Sequence, residues 1–235
     1  MLTPKRIYVE EMLDAGVGTD EDVAQNLSDL RRINRFLGGT RVVLGALSTS
    51  LRNSSQGGLS LLDVGTGSAD IPGAVAAWCR DRGLKPMIVG LDLSERNIRV
   101  SRNHLGISEQ VQLIQADSLK LPFLDRSFQF VTASLFLHHF EEADVVRLLA
   151  DFSRVASRAV IVNDLLRNLV PYYFSRVTGP ILARSFLTRN DGPISVLRGF
   201  TADELRHLAE RAGLKRCEVR RVFPYRLSLI AEPGD

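Results

Sequence analysis

Apolar positions along the chain change their period twice. Over Glu21–Leu37 the apolar residues Val23, Leu27, Leu30, Ile33 and Leu37 recur every three or four residues, the spacing of one helix face. Gly38-Gly39 stops that helix, and Val42–Leu51 forms a second apolar-rich one. The first forty residues therefore read as helical. Residues 52–58 are polar and glycine-rich, a loop or boundary. From Leu59 short apolar runs alternate with helical periods. Strands are predicted over Leu59–Val64, Pro86–Leu91, Val111–Gln115, Phe128–Ala133 and Ala159–Asn163. Helices are predicted over Ile71–Arg82, Ser94–Leu105 and Glu142–Arg154.

This alternation predicts a parallel sheet covered by helices on both faces, with ligands at the carboxyl ends of its strands. The span Asp164–Gly199 breaks the rhythm. It holds Tyr172, Tyr173, Phe174, Phe186 and three prolines among basic residues, and it is too long for an ordinary connection. An inserted lid of one or two helices is expected there. Thr201-Ala202-Asp203-Glu204 is a capping box that opens a helix to about Ala212, ended by Gly213. Cys217–Phe223 and Leu227–Ala231 then read as an antiparallel pair at the sheet edge.

Chemistry gathers at the strand ends. Leu61-Leu62-Asp63-Val64-Gly65-Thr66-Gly67-Ser68-Ala69-Asp70 runs from a strand through an acid and two glycines into a helix. Such glycines let a backbone approach a ligand closely. Asp70 stands where the dinucleotide fingerprint needs a third glycine, and no Lys-Ser/Thr follows, so neither phosphate-binding motif is complete. The second strand ends at Asp92, 27 residues after Gly65 and near the spacing at which an acid takes ribose hydroxyls. The third ends at Asp117-Ser118 and the fourth at Ser134, followed by His138-His139. Each acid alone is equally a helix cap; their succession at consecutive strand ends is the signal.

Residues Leu59–Asn163 resemble the core of the class I S-adenosylmethionine (SAM) dependent methyltransferases, with the subgroup of ubiquinone/menaquinone-type and polyketide-associated small-molecule enzymes the best match. The resemblance implies an α/β, Rossmann-like seven-stranded mostly parallel sheet with an antiparallel last strand. It implies helices on both faces, a helical cap over 1–58, and a SAM-binding domain over 59–235 with a lid at about 165–199. It assigns the strand-end Asp63, with Gly65, Thr66 and Gly67, to the loop around the cofactor's methionine end. Asp92 falls to the ribose, Leu93 to the adenine side, and Asp117 and Ser118 to the adenine edge. Ser134 stands where the family often has Asn, and Gln129 where Asp is usual.

For a methyl acceptor that must lose a proton, a base near neutrality is useful. His139 and His138 are the candidates, with at most one facing substrate. Asp164 is a third, or a cap for the lid. Asn163, Tyr172, Tyr173 and Arg189 are candidate acceptor contacts, against an ordinary lid core and a turn before Gly192-Pro193. Arg32, Asn34 and Arg35 are candidates for the cofactor carboxylate.

Composition narrows this further. The 235 residues are 45% hydrophobic with net charge +3. The basic run Arg206–Arg226 could serve nucleic acid. It lacks aromatic interleaving, so a solvated face is the plainer reading and no nucleic-acid partner is expected. The two cysteines, Cys79 and Cys217, match no metal or redox spacing, and no metal is expected. No signal peptide or spanning helix is expected, which suits a cytoplasmic chain, monomer or homodimer. The sequence thus points to methylation, on oxygen or carbon, of a small apolar aromatic, quinone or polyketide. The basic, apolar lid leaves peripheral membrane contact open. The competing reading is an RNA or protein methyltransferase, and Ser134-Leu135-Phe136-Leu137 lacks the Asn/Asp-Pro-Pro-Tyr of base-amino methylation.

Overall fold

The computed structural model describes residues 3–51, 58–105 and 110–234. The expected loop over 52–58, where the cap–domain boundary was placed, lies almost wholly outside them. The helices are α1 Asp20–Phe36, α2 Gly39–Leu51, α3 Asp70–Arg80, α4 Glu95–Leu105, α5 Glu142–Val155, α6 Leu169–Leu182, α7 Phe186–Arg198 and α8 Ala202–Arg211. The strands are β1 Gly58–Val64, β2 Lys85–Asp92, β3 Val111–Gln115, β4 Phe128–Ser134, β5 Ala156–Leu165, β6 Lys215–Val222 and β7 Arg226–Glu232.

The strands form one sheet in the order β3-β2-β1-β4-β5-β7-β6. The first five are mutually parallel, and β7 runs antiparallel to both β5 and β6. Winding reverses between β1 and β4, which opens a crevice at their carboxyl ends. Side chains alternate across the sheet, so neighbours on β1 serve opposite cores. Leu62 and Val64 join α5 and α8 on one face, while Leu59 and Leu61 join α2 and α3 on the other.

The N-terminal segment departs from expectation. Residues 3–19 are not helical. Gly16 and Gly18 take positive φ of 71° and 91°, which breaks any helix before α1 begins. This segment, an N-terminal strap over residues 3–19, is held by arginines from the far end of the chain. Arg167 donates to the Pro4 carbonyl and Arg198 to that of Val9, while Met12 and Leu13 N–H groups donate to Asp191. The α1 helix starts at a capping box of Thr19 and Asp22 and packs Val23 and Leu27 on Leu187 of α7.

The span where a lid of one or two helices is expected holds α6 and α7. The predicted box at Thr201 is present, with the Glu204 N–H donating to the Thr201 hydroxyl. We expect Thr201→Ala to cost about 1 kcal/mol in urea unfolding. Ligand binding at the strand ends should be unchanged in calorimetry.

Candidate functional site

The glycine turn after β1 is forced by contact. Gly65 has φ 68°, and a Cβ there would lie 2.0 Å from the Phe136 ring. Gly67 has φ 51° and Ala69 φ 53°, so three left-handed residues bring the chain into α3. Beneath the turn, Asp63 accepts from Thr66 Oγ1 at 2.8 Å and Thr132 Oγ1 at 2.6 Å. It is 2% exposed, so its carboxyl braces the loop from below rather than lining the crevice. Burial pushes its pKa up to about 7, against the pull of the two hydroxyls.

Asp92 ends β2 beside this loop. It accepts from the Gly67 N–H at 2.8 Å, the Ser94 N–H at 2.9 Å and Asn97 Nδ2 at 3.1 Å. A carboxylate has about four acceptor sites, so Asp92 can take one further donor. Burial raises its pKa. Leu93 is exposed at the mouth. Asp117 caps a short 3-10 turn through the Leu119 N–H, with Ser118 buried behind it.

A second group of polar residues fills the crevice between β1, β4 and β5. Asn163 Nδ2 donates to Ser134 Oγ at 2.7 Å. Asn34 Nδ2 donates to Asp70 at 3.0 Å, and Asn34 Oδ1 accepts from Arg226 Nη2 at 3.3 Å. Arg226 is fully buried, and burial lowers its pKa to about 10, so it stays a cation at neutral pH. Among the described residues, Arg226 Nη1, Arg31 Nη1 and Asn163 Oδ1 are buried with no hydrogen-bond partner. Unsatisfied buried groups are rare and costly, and here donors for a carboxylate stand beside acceptors for an ammonium. Of the helix residues singled out from sequence, Asn34 enters this group. Arg32 instead pairs with Asp29, and Arg31 takes the inward place.

Residues 62–161 match the family described as "Methyltransferase domain". Demethylmenaquinone methyltransferase of Bacillus cereus (strain B4264) is 26% identical over 179 residues, covering 70% of this chain and 73% of that protein. The structure of human N-acetylserotonin methyltransferase in complex with SAM aligns with a TM-score of 0.68 at 16% identity. It covers 98% of this chain, which spans 63% of the human protein's length. A SAM-dependent methyltransferase from Aquifex aeolicus aligns with a TM-score of 0.62 at 20% identity, over 88% of this chain and 97% of its own. Residues 62–161 thus form a methyltransferase domain, and the chain has the fold of solved SAM-dependent methyltransferases. The orphaned polar atoms of the crevice suit the amino-acid end of a SAM molecule.

Above the methyltransferase's glycine loop lies a cluster that only the fold assembles. His138 Nδ1 is 2.7 Å from Asp164 Oδ1, and His138 Nε2 is 3.7 Å from Glu11. His139 Nδ1 is 2.7 Å from Asp14. His138 is 3% exposed in its side chain and His139 21%. Burial pulls the His139 pKa down, but the Asp14 hydrogen bond and the Glu11 and Asp14 charges together hold it above the ordinary value. Burial raises the Asp164 pKa, yet His138 and the Leu165 N–H take it below the ordinary value. Glu11, His138 and His139 offer donor atoms within 4.8 Å of one another, as a metal site would. The two rings, however, are stacked at 4.2 Å and only 33° apart. Imidazole lone pairs lie in the ring plane, so two such rings aim poorly at one ion, and the cluster suits proton handling better.

Glu11, Asp14, Arg31, Asp70, Arg198 and Arg226 escaped sequence reasoning as site residues. Asp70 alone carried a local signal, as the acid in the third-glycine position. Of the lid candidates, Tyr172 is half-buried, Tyr173 faces solvent, and Arg189 donates to the Ala183 carbonyl on the outside of α7. The fold does not bring Tyr173 or Arg189 to the histidines. Gln129 reaches the Ser60 N–H across the sheet and takes no place in the crevice.

Two outcomes follow from the loop. Gly65→Ala should unfold the loop or the chain, seen as a lower melting temperature and loss of SAM binding, because the φ and the Phe136 contact both forbid a side chain. Asp63 has its carboxyl pKa raised in the folded state. The unfolded chain therefore ionises first, and this contribution to stability falls as pH rises from about 4 to 7. Asp63→Asn should flatten the decline of melting temperature across that window relative to the parent.

Proposed function

We propose that this methyltransferase acts on a small apolar aromatic, quinone or polyketide-type acceptor carrying an acidic hydroxyl or carbon. The observation that carries it is the carboxylate–imidazole cluster at the strand ends, partly buried beneath α7 and held there by Arg198. SAM, when bound, supplies a methyl group carried on a positively charged sulfur. The acceptor must give up a proton as it takes that methyl. Asp14 receives the Nδ1–H of His139, which leaves Nε2 free to accept the acceptor's proton. His139 is the more exposed of the two rings, so it is the one an acceptor reaches. Asp164 holds His138 deeper, as support for its neighbour.

The strap, the 3-10 turn and α7 keep water away from the reacting atoms, and Arg198 locks all three by donating to the Val9, His138 and His139 carbonyls. Arg226 and Arg31 hold the cofactor's carboxylate in this reading. Asp70 and Asn163 Oδ1 hold its ammonium, and Asp92 takes a ribose hydroxyl. The menaquinone-precursor name of the Bacillus relative agrees with an apolar acceptor. Against a nucleic-acid or protein substrate stands the basic C-terminal face, where Arg206, Arg216 and Arg220 are paired with Asp203, Glu232 and Glu218.

The deciding experiment incubates the protein with labelled SAM and a panel of phenols, quinones, alkylresorcinols and, as contrast, RNA and peptide. Product masses are then scored. Label on a phenol or quinone supports the reading, and label on RNA or peptide alone overturns it. His139→Ala should lower turnover by about 10²–10⁴-fold with SAM affinity intact. Because the base form exists only above the His139 pKa, kcat/KM should rise with pH through a value above 6.5. Asp14→Asn should move that rise to lower pH. Arg226→Met should weaken SAM at least about tenfold in calorimetry, the worth of a charge-assisted contact. It should spare methylthioadenosine, which lacks the amino-acid end.

A further inference from the structure

The α6 helix presents a face that the fold leaves uncovered. Of its 14 residues only Pro171 is buried. Val170, Tyr173, Phe174, Val177 and Ile181 are exposed, Val177 by 67% and Ile181 by 79%. Their spacing of i, i+3, i+4, i+7 and i+11 places them in one stripe. A shallow apolar groove runs along it from Leu169 to Thr178. The opposite side of α6 packs on α7, where Gly179 lets the backbones approach. Single exposed apolar side chains are ordinary, but a continuous stripe marks an interaction surface.

Charge indicates what covers it. No Asp or Glu occurs between Asp164 and Asp191. Arg176, Arg184 and Arg189 are exposed on α6, after it and on α7. Tyr172 and Tyr173 meet edge to face near the start of the helix. Two copies of such a face would set cations against cations. An apolar stripe with tyrosines, on a segment whose own charged side chains are all arginines, matches an anionic bilayer surface.

We propose that α6 docks this enzyme on anionic lipid, with the stripe immersed at the headgroup–acyl boundary and the arginines on lipid phosphates. Docking stands on the stripe and its charge, whatever the acceptor. Its consequence joins the reading above: α6 begins five residues after Asp164, so an apolar acceptor dissolved in the lipid would reach the histidines beside the docked lid.

The test is co-sedimentation of the full chain with phosphatidylcholine vesicles, with and without about 30% phosphatidylglycerol. Binding to the anionic vesicles that weakens with salt is expected. Val177→Asp with Ile181→Asp should cut that binding at least about tenfold, while melting temperature and SAM affinity stay as in the parent. Undiminished binding by the double variant overturns the proposal. So does failure of the parent to bind either vesicle, or a dimer in light scattering that the same substitutions split, which would give the face to a second copy. Turnover of a detergent-dissolved acceptor reports on the acceptor separately, so the two readings fail independently.

Discussion

At the end of β5 sits a carboxylate with no access to water, and the arrangement of the site depends on how it is satisfied. Asp164 accepts from the His138 ring, the His138 N–H and the Leu165 N–H. A buried charge stripped of its partners costs several kcal/mol, about 3–5 when one member of a pair is removed. The turn after β4 must therefore place His138 against β5, and Leu135 takes a φ of 55° to get there. That turn carries Phe136 onto Gly65 and His139 towards the crevice. One buried acid thus couples the cofactor loop, the histidine pair and the strand that leads into the lid.

The rest of the enclosure is built by arginines acting on carbonyls. Arg6 donates to the Arg198 and Phe140 carbonyls, Arg167 to those of Pro4 and Gly199, and Arg198 to those around the histidines. Planar guanidiniums with five donors suit irregular backbone that has no ladder of its own. These contacts fasten the strap to the lid, and the strap delivers Glu11 and Asp14 to the imidazoles. Asp29 adds a further tie by accepting from the Arg184 and Ser185 N–H groups between the lid helices. No helix among the described residues is long and apolar enough to cross a membrane. The exposed stripe of α6 is a surface feature of this enclosure.

Much of the fold was legible because its causes are local. The glycine turn at Gly65, the acid ending β2 and the box at Thr201 are each written in a few adjacent residues. Alternation of short apolar runs with helical periods marked the parallel sheet, and the antiparallel pair after α8 was visible as two runs around Pro224-Tyr225. The strap was misread. Its glycines and turn were there to see, but only contacts with residues some 180 positions away hold it extended. The inward arginine on α1 was misjudged by one position, since a 100° rotation decides whether Arg31 or Arg32 meets Asp70.

By itself the sequence determined the cofactor class, the layered α/β architecture and the places where strand ends could meet a ligand. Periodicity, turn chemistry and capping act over a few residues and need no partner from afar. Tertiary structure alone decided that Asp14 holds His139, that Asp63 braces the loop from below, and that Arg226 keeps one guanidinium nitrogen, Nη1, without a partner in the crevice. Those outcomes depend on burial and on pairings across 69 to 192 positions. Desolvation and Coulomb interaction follow distance in space, which no local pattern encodes.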